Sequence, residues 1–335
     1  MDTLSYTIQN LFPKKRIVIV GDLVADQFLH GTIARVSREA PVFILRHDET
    51  DTRAGAAANA AVNIASLGAE PVLVGLTGND QNGELLLASL LKSRVNCDFV
   101  VSDPLRKTTT KVRVLAGQHY AARQQVIRID YENTVEMDSG TRQQLLSNFE
   151  AAAENADAII VSDYNYGVVD EKVYDFARRI SERRSIPLLI DSRFRLTDFP
   201  NATTATPNQD EVEQIIGKDF TTEQCSGLRE KLGYESLLVT CGNQGMLLVQ
   251  KNSEPRRLSS IGSMEPVDVT GAGDTVIAVY ALGLASGLSF IEAAEIANHA
   301  GGIVVMKKGT AAVSPDELIE SIEATTKLDT LKSFA

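Results

Sequence analysis

Cysteine is scarce in this 335-residue chain: Cys97, Cys225 and Cys241 are an odd number, far apart and without a CxxC pair. That excludes a disulfide framework and points to reduced, structural thiols. In a chain of that kind the sequon Asn201-Ala-Thr203 is a coincidence rather than a glycan site. The four histidines (His30, His47, His119, His299) make no HxH or HxxxH spacing, which excludes a His-built zinc site. Long apolar runs are missing too. Residues 17–20 and 156–161 are strand-sized and far short of the ~20 residues that cross a bilayer. Basic charge is in deficit, with 33 Lys+Arg against 44 Asp+Glu, a formal charge of −11 and no basic run of five. Nucleic acid and anionic membrane surfaces are therefore poor partners. The N-terminal MDTLSYTIQNLFPKK lacks the basic-then-apolar layout of a signal peptide, so a cytoplasmic location is expected.

What is present is an ordinary globular composition, 44% hydrophobic and 23% charged, and not a disordered one. A chain of this size buries ~75% of its unfolded surface. Apolar strands (16–21, 71–75, 157–161, 186–190, 236–240) alternate with helical patterns (56–67, 82–92, 170–184, 273–285, 291–305). That alternation predicts an α/β fold with a doubly wound, mostly parallel sheet. Two stretches break the rhythm. Residues 33–46 and 108–130 have strand character (VFIL, TKVRVL, VIRI) without helices and hold Arg35, Arg38, Arg46, Lys107, Lys111, Arg113, Arg123 and Arg128. They read as a small inserted β-sheet, either plain edge hairpins or a lid. No linker, repeat or low-complexity tract divides the chain, so residues 1–335 are expected to form one domain with that insertion.

The densest motif is Asp268-Val-Thr-Gly271-Ala272-Gly273-Asp274, running straight into an apolar helix. The glycines allow close backbone approach, and a helix N-terminus offers free N–H groups and a positive dipole to an anion. Asp274, in the first turn, is placed to accept a proton from an attacking hydroxyl. An N-terminal acid on a glycine turn also stabilises a helix without any catalysis.

This heptapeptide closely resembles the second signature of the ribokinase (PfkB-type) carbohydrate kinases. Three further segments, in the family's order, resemble its Gly/Asn segment, its GxxGxDxxG stretch and its PNxxE motif. They are Gly55-Ala-Ala-Ala-Asn59, Gly75-Leu-Thr-Gly78-Asn-Asp80-Gln-Asn-Gly83, and Pro207-Asn208-Gln-Asp-Glu211. The resemblance implies a three-layer α/β/α sandwich with a β-sheet lid that often mediates dimers. It also implies ATP-dependent phosphorylation of a sugar hydroxyl with Mg²⁺, and leaves room for a monovalent cation. By that analogy Asp274 is the base and Gly271, Ala272 and Gly273 form the anion hole. Asp22, Gly55, Asn59 and Asp163 hold the sugar. Asn208, Glu211, Arg193, Thr240, Gly242, Gly245 and Asn298 border the nucleotide, and Glu211 reaches the metal through water. A GxxxxGK[ST] phosphate loop is absent.

Other segments resemble the heptose 7-phosphate kinases within that family: Arg35-Val-Ser-Arg-Glu-Ala-Pro-Val, Gln124-Gln-Val-Ile-Arg128-Ile-Asp130, Ser162-Asp163-Tyr164 and Gly309-Thr-Ala-Ala-Val-Ser-Pro315. They imply D-glycero-β-D-manno-heptose 7-phosphate as acceptor, on the route to the lipopolysaccharide core. Two departures stand out. Where those enzymes read SDYGKG this chain has Ser-Asp-Tyr164-Asn165-Tyr166-Gly167, so a lysine suited to a sugar phosphate is missing, and Arg35, Arg123 or Arg128 is expected to supply the charge. Ala56 also replaces a common glycine. No HxGH motif is present, so the expectation is a kinase alone, with adenylylation left to another protein.

Overall fold

A computed structural model describes residues 3–117, 123–133, 135–263 and 265–333, with side chains through Lys327. Residues 118–122 of the second predicted excursion lie outside the described residues. The first seven strands are β1 (Arg16–Gly21), β2 (Leu23–Val36), β3 (Phe43–Ala56), β4 (Glu70–Gly78), β5 (Asn96–Asp103), β6 (Thr110–Gly117) and β7 (Gln124–Tyr131). Then come β8 (Ala158–Asp163), β9 (Leu188–Ser192), β10 (Thr204–Ala205), β11 (Ser236–Thr240), β12 (Met246–Gln250) and β13 (Arg256–Leu258). The helices α1 (Thr3–Asn10), α2 (Ala57–Ser66), α3 (Gln81–Lys92), α4 (Ser139–Ala152) and α5 (Glu171–Arg184) precede α6 (Gln209–Ile216), α7 (Thr222–Leu232), α8 (Ala272–Ala285), α9 (Phe290–Val304) and α10 (Pro315–Ser333).

Strand β1 explains why the large sheet is covered on both faces. Ile17 and Ile19 join one apolar cluster, with α2, α8 and α9, while Val18 and Val20 join another, with α4, α5 and α7. Successive side chains of a strand point to opposite faces, so an unbroken apolar run demands helices on both sides. Nine strands lie in the order β13-β12-β11-β10-β9-β8-β1-β4-β5. All neighbours are parallel except at the β11–β12 and β12–β13 pairs. This is the three-layer α/β/α sandwich with a mostly parallel sheet.

A second sheet, β3-β2-β6-β7, is separate. Strands β2 and β6 pair in parallel, and the two outer pairs are antiparallel. Its first hairpin runs from Leu23 to Ala56, well beyond the 33–46 expected, and its second pair matches 108–130 closely. Most of β2 and β3 is only half-covered, and polar residues such as Asp26, Gln27 and His30 interrupt the apolar pattern, so no clean periodicity marked its start. Among the described residues no helix is long and apolar enough to cross a membrane.

The small sheet is rooted where β1 hands over to β2 at Asp22 and where β3 enters α2 at Ala56. Both points lie at the C-terminal ends of the parallel strands, where doubly wound sheets bind their ligands. Ala56 takes φ 56°, ψ −133°, a conformation that favours glycine. The methyl that replaces the common glycine is therefore held in a strained backbone rather than merely filling space.

Candidate active site

Asp274 lies in the first turn of α8 and is 5% exposed. Gly271 caps that helix at φ +79°, and a Cβ there would sit 2.5 Å from Asn59 Nδ2. A Cβ on Gly273 would meet nothing within 4 Å, so that backbone is open to an approaching group. Asn59 Nδ2 donates to Asp274 Oδ2 at 2.7 Å, and the Tyr164 hydroxyl donates to Oδ1 at 2.8 Å. Burial pushes the Asp274 carboxyl up to about 6, against the pull of those two donors. Burial also lifts the Tyr164 phenol well above its ordinary value, which keeps it a donor. Below Asn59, Asn63 Nδ2 donates to the Asn59 carbonyl and Thr275 Oγ1 donates to Asn63 Oδ1. Helices α2 and α8 thus share a polar seam that fixes Asn59 on Asp274. The resemblance placed Asn59 on the sugar; in the structure its amide holds the carboxylate.

Two predicted sugar contacts are engaged elsewhere. Asp22 is 1% exposed and accepts from the backbone N–H groups of Tyr164, Tyr166 and Val168 at 2.8, 3.0 and 3.1 Å. Both its oxygens clamp the loop after β8, the loop that presents Tyr164. Arg106 holds the same loop through the Tyr166 carbonyl, 2.7 Å away. Asp163 is fully buried, forked onto Arg195 and bonded by the Ser192 hydroxyl at 2.8 Å. A buried carboxylate so satisfied has no lone pair left for a ligand.

The Gly75–Gly83 motif is likewise structural. Asp80 caps α3 by accepting from Gly83 N, and it accepts from both Thr108 N and Thr108 Oγ1, which ties α3 to the entry of β6.

The carboxylate that does face Asp274 is Asp26, on β2, which sequence reasoning missed. It is 5% exposed, ion-paired to Arg113 at 2.5 Å, and its charge raises the Asp274 pKa. Gly55 fits beside it, since a Cβ there would lie 2.7 Å from Asp26 Oδ2. Asp26 sits four residues past Asp22 in a stretch without clean alternation, so no local pattern marked it.

The lid arginines divide. Arg128 forks onto Asp130 at 2.9 and 3.0 Å and lines a cavity of about 380 Å³ with Lys111, Tyr164, Tyr166, Arg193 and Phe194. Arg123 pairs with Asp48 at 2.7 Å near the far end of the small sheet, and Arg35 is exposed at the outer end of β2. Neither lines that cavity. Arg193, expected on the nucleotide side, lines this cavity, stacks on Phe194 and is also near enough to Glu211 for its charge to act on that carboxylate.

On the other side of the GAGD turn a cavity of about 190 Å³ collects the remaining expected residues: Thr240, Gly242, Gly245, Ala272, Gly273 and Asn298. Met246, Ile261, Val276 and Val305 supply apolar walls suited to a flat heterocycle. Asn298 Nδ2 donates to the Ser259 carbonyl and so pins the loop over that wall. Asn208 and Glu211 close a capping box on α6, each side chain bonded to the other's backbone N–H at 2.9 Å. Glu211 Oε2 is held in that box, and burial raises its pKa.

Asp191, at the end of β9, is the second residue missed. Its desolvation, with the charges of Asp274 and Glu211 beside it, pushes its carboxyl well above the usual carboxylate range. Among the described residues no three acidic, His or Cys side chains form a metal cage. Mg²⁺ keeps several waters and takes only one or two carboxylates beside phosphate oxygens, so Glu211 and Asp191 fit it as outer ligands.

The comparisons agree with this geometry. The Arabidopsis thaliana ribokinase complexed with ribose and ATP superposes with a TM-score of 0.70 at 21% identity, covering 92% of this chain and 98% of that one. Phosphofructokinase-2 from Escherichia coli in complex with potassium gives 0.74 at 17%, covering 93% and 99%. At those identities the likeness shows the fold. The bifunctional protein HldE of Histophilus somni is 40% identical over 332 residues, 96% of this chain and 66% of its own length. That of Coxiella burnetii is 37% identical over 324 residues, 95% and 66%. The chain thus spans just under two thirds of the length of these relatives. The pfkB family carbohydrate kinase profile matches residues 14–317. With the GAGD turn at the sheet's C-terminal edge and that match across the chain, this protein belongs to the pfkB family of carbohydrate kinases.

Proposed function

We propose that this kinase transfers the γ-phosphoryl group of ATP to the anomeric hydroxyl of D-glycero-β-D-manno-heptose 7-phosphate, giving the 1,7-bisphosphate. The observation that carries the chemistry is Asp274, desolvated in the first turn of α8 and held by two donors that leave it able to take a proton. The acceptor oxygen attacks the γ-phosphorus, its proton passes to Asp274, and the bond to the ADP oxygen breaks. The Ala272 N–H donates to the Val269 carbonyl, which leaves the backbone N–H groups of Gly271 and Gly273 to meet the charge that develops on the transferred group. Asn208, Glu211 and Asp191 would hold Mg²⁺ through water, and the ion would supply neutralisation of phosphate charge there. The heptose reading is supported by the segments shared with the heptose 7-phosphate kinases and by the identity to HldE. Asp26, beside Gly55, rather than Asp22, whose oxygens hold the loop after β8, is the acid facing the sugar hydroxyls. The inserted sheet acts as the lid of one kinase domain. Its outer face leaves Ile127, Ile129 and Tyr131 exposed, which supports a dimer formed through the lid.

The test is ATP consumption across sugars with and without a terminal phosphate. Turnover with the heptose phosphate is expected. Strong activity on unphosphorylated sugars with none on the heptose phosphate would overturn the reading.

A further inference from the structure

Lys111 is the second residue of β6, on the inward face of the small sheet, and is 8% exposed. Among the described residues its ammonium has no hydrogen-bond or ion-pair acceptor. Its companions are the faces of Tyr164 and Tyr166, with ring centroids 5.7 and 5.6 Å away. A buried charge without an acceptor is costly, and an aromatic face compensates only part of that cost. The neighbouring cations of the small sheet are different. Arg113 is neutralised by Asp26, Arg53 by Asp51, Arg128 by Asp130 and Arg123 by Asp48. Arg193, across the cavity, is exposed, stacks on Phe194 at 5.5 Å and has no ion pair among the described residues. Burial pulls the Lys111 pKa down and repulsion from Arg193 adds to it, while the nearby charges of Asp26 and Asp130 offset part of the fall. Lys111, Arg128 and Arg193 face a space that Asp130 and Glu132 also line, so three cations against two carboxylates leave it a net positive charge that suits an anion.

We propose that Lys111 and Arg193 form the binding site for the acceptor's own phosphate group, the one that is not transferred. The inference rests on the heptose phosphate reading above and deepens it. The cavity is on the acceptor side, because Lys111 neighbours Asp26 across the β2–β6 pair. It shares no lining residue with the nucleotide-side cavity. Its volume, about 380 Å³, holds a phosphorylated sugar. Tyr166 stands where the SDYGKG segment of the heptose kinases carries lysine. In this chain the charge missing from that loop is returned from β6, with the Lys111 ammonium laid against the Tyr166 ring. Arg128, already forked onto Asp130, borders the same space and adds no free charge.

The experiment compares heptose 7-phosphate with the dephosphorylated heptose as acceptors, or as competitors where turnover is too slow, in the parent enzyme, Lys111→Met and Arg193→Gln. Charge-assisted contacts of this kind contribute roughly tenfold to hundredfold in affinity. Each variant is expected to lose that much of the preference for the phosphorylated acceptor while KM for ATP holds, and Lys111→Arg is expected to recover part of it. A preference that survives both substitutions, or a rise confined to KM for ATP, overturns the inference and leaves the functional reading standing. A parent enzyme with no preference for the phosphorylated acceptor sinks the functional reading itself. If Lys111→Met does not fold, Arg193→Gln on the opposite wall reads the same ratio.

Discussion

The two sides of Asp274 are made of different material. On the nucleotide side the walls are glycine backbone and aliphatic side chains from β11, α8 and α9, with few charges. On the acceptor side the small sheet sets Asp26, Lys111, Arg113, Arg128 and Asp130 on one inward face, with Asp26 and Arg113 ion-paired across strands and Arg128 and Asp130 along β7. A nucleotide base asks for a flat apolar slot and its phosphates ask for N–H groups, both of which a backbone supplies. A polyhydroxyl phosphate asks for charges at fixed places, which only side chains supply. One side is a property of the fold, and the other is a property of particular residues that can be exchanged to change the acceptor.

The largest effect should come where the two sides meet. Asp274→Asn keeps the size of the side chain but cannot accept the proton. Turnover should fall at least ~10²-fold, while the nucleotide side, which does not use the carboxylate for binding, keeps its affinity for ATP. Stopped assays paired with a nucleotide-binding titration separate the two. Near-normal turnover would remove Asp274 from the chemistry.

Tyr164 tests how the acceptor side prepares the base. Its hydroxyl donates to the ionised form of Asp274, and a donor to the charged form lowers a carboxyl pKa. As base, Asp274 works ionised, so kcat/KM should fall as pH drops below about 6. In Tyr164→Phe that donor is lost, the carboxyl pKa rises, and the acid limb of the profile should move up by about one pH unit. At high pH much of the activity should return. A limb that stays put would mean that Asn59 alone sets the charge of Asp274.

These two regions also differ in how much of them the sequence displayed. Ala272 and Gly273 of the GAGD turn line one cavity with Thr240, Gly242 and Gly245, and each of these two segments is a short contiguous motif whose backbone shape is local, whereas Asn298 on the same cavity followed from the resemblance alone. The alternating strands and helices of the body followed from unbroken apolar runs such as residues 17–20. The acceptor side hid because its contacts are long-range: Arg113 meets Asp26 across 87 residues and Asn59 meets Asp274 across 215. No spacing rule connects such pairs. Asp22 and Asp163 misled for a related reason. An acid at the end of a buried strand is equally suited to a ligand or to a loop's orphan N–H groups, and here the loop at 164–168 and Arg195 took them.

The smallest effect separates lid arginines that looked alike in the sequence. Arg123 is about one third exposed and meets Asp48 at 2.7 Å and Glu49 at 3.8 Å, near the far end of the small sheet. An exposed pair of this kind contributes at most about 1 kcal/mol, less in salt. Arg123→Gln should therefore leave KM for both substrates within about twofold of the parent, the scale of a lost surface pair. Lys111→Met, on the inward face of the same sheet, should not. A clear rise in the acceptor KM of Arg123→Gln would mean that the sheet bends far enough over a bound sugar to bring its outer end to the acceptor. The division between an inner charged face that reads the substrate and an outer end that only solvates would then have to be redrawn.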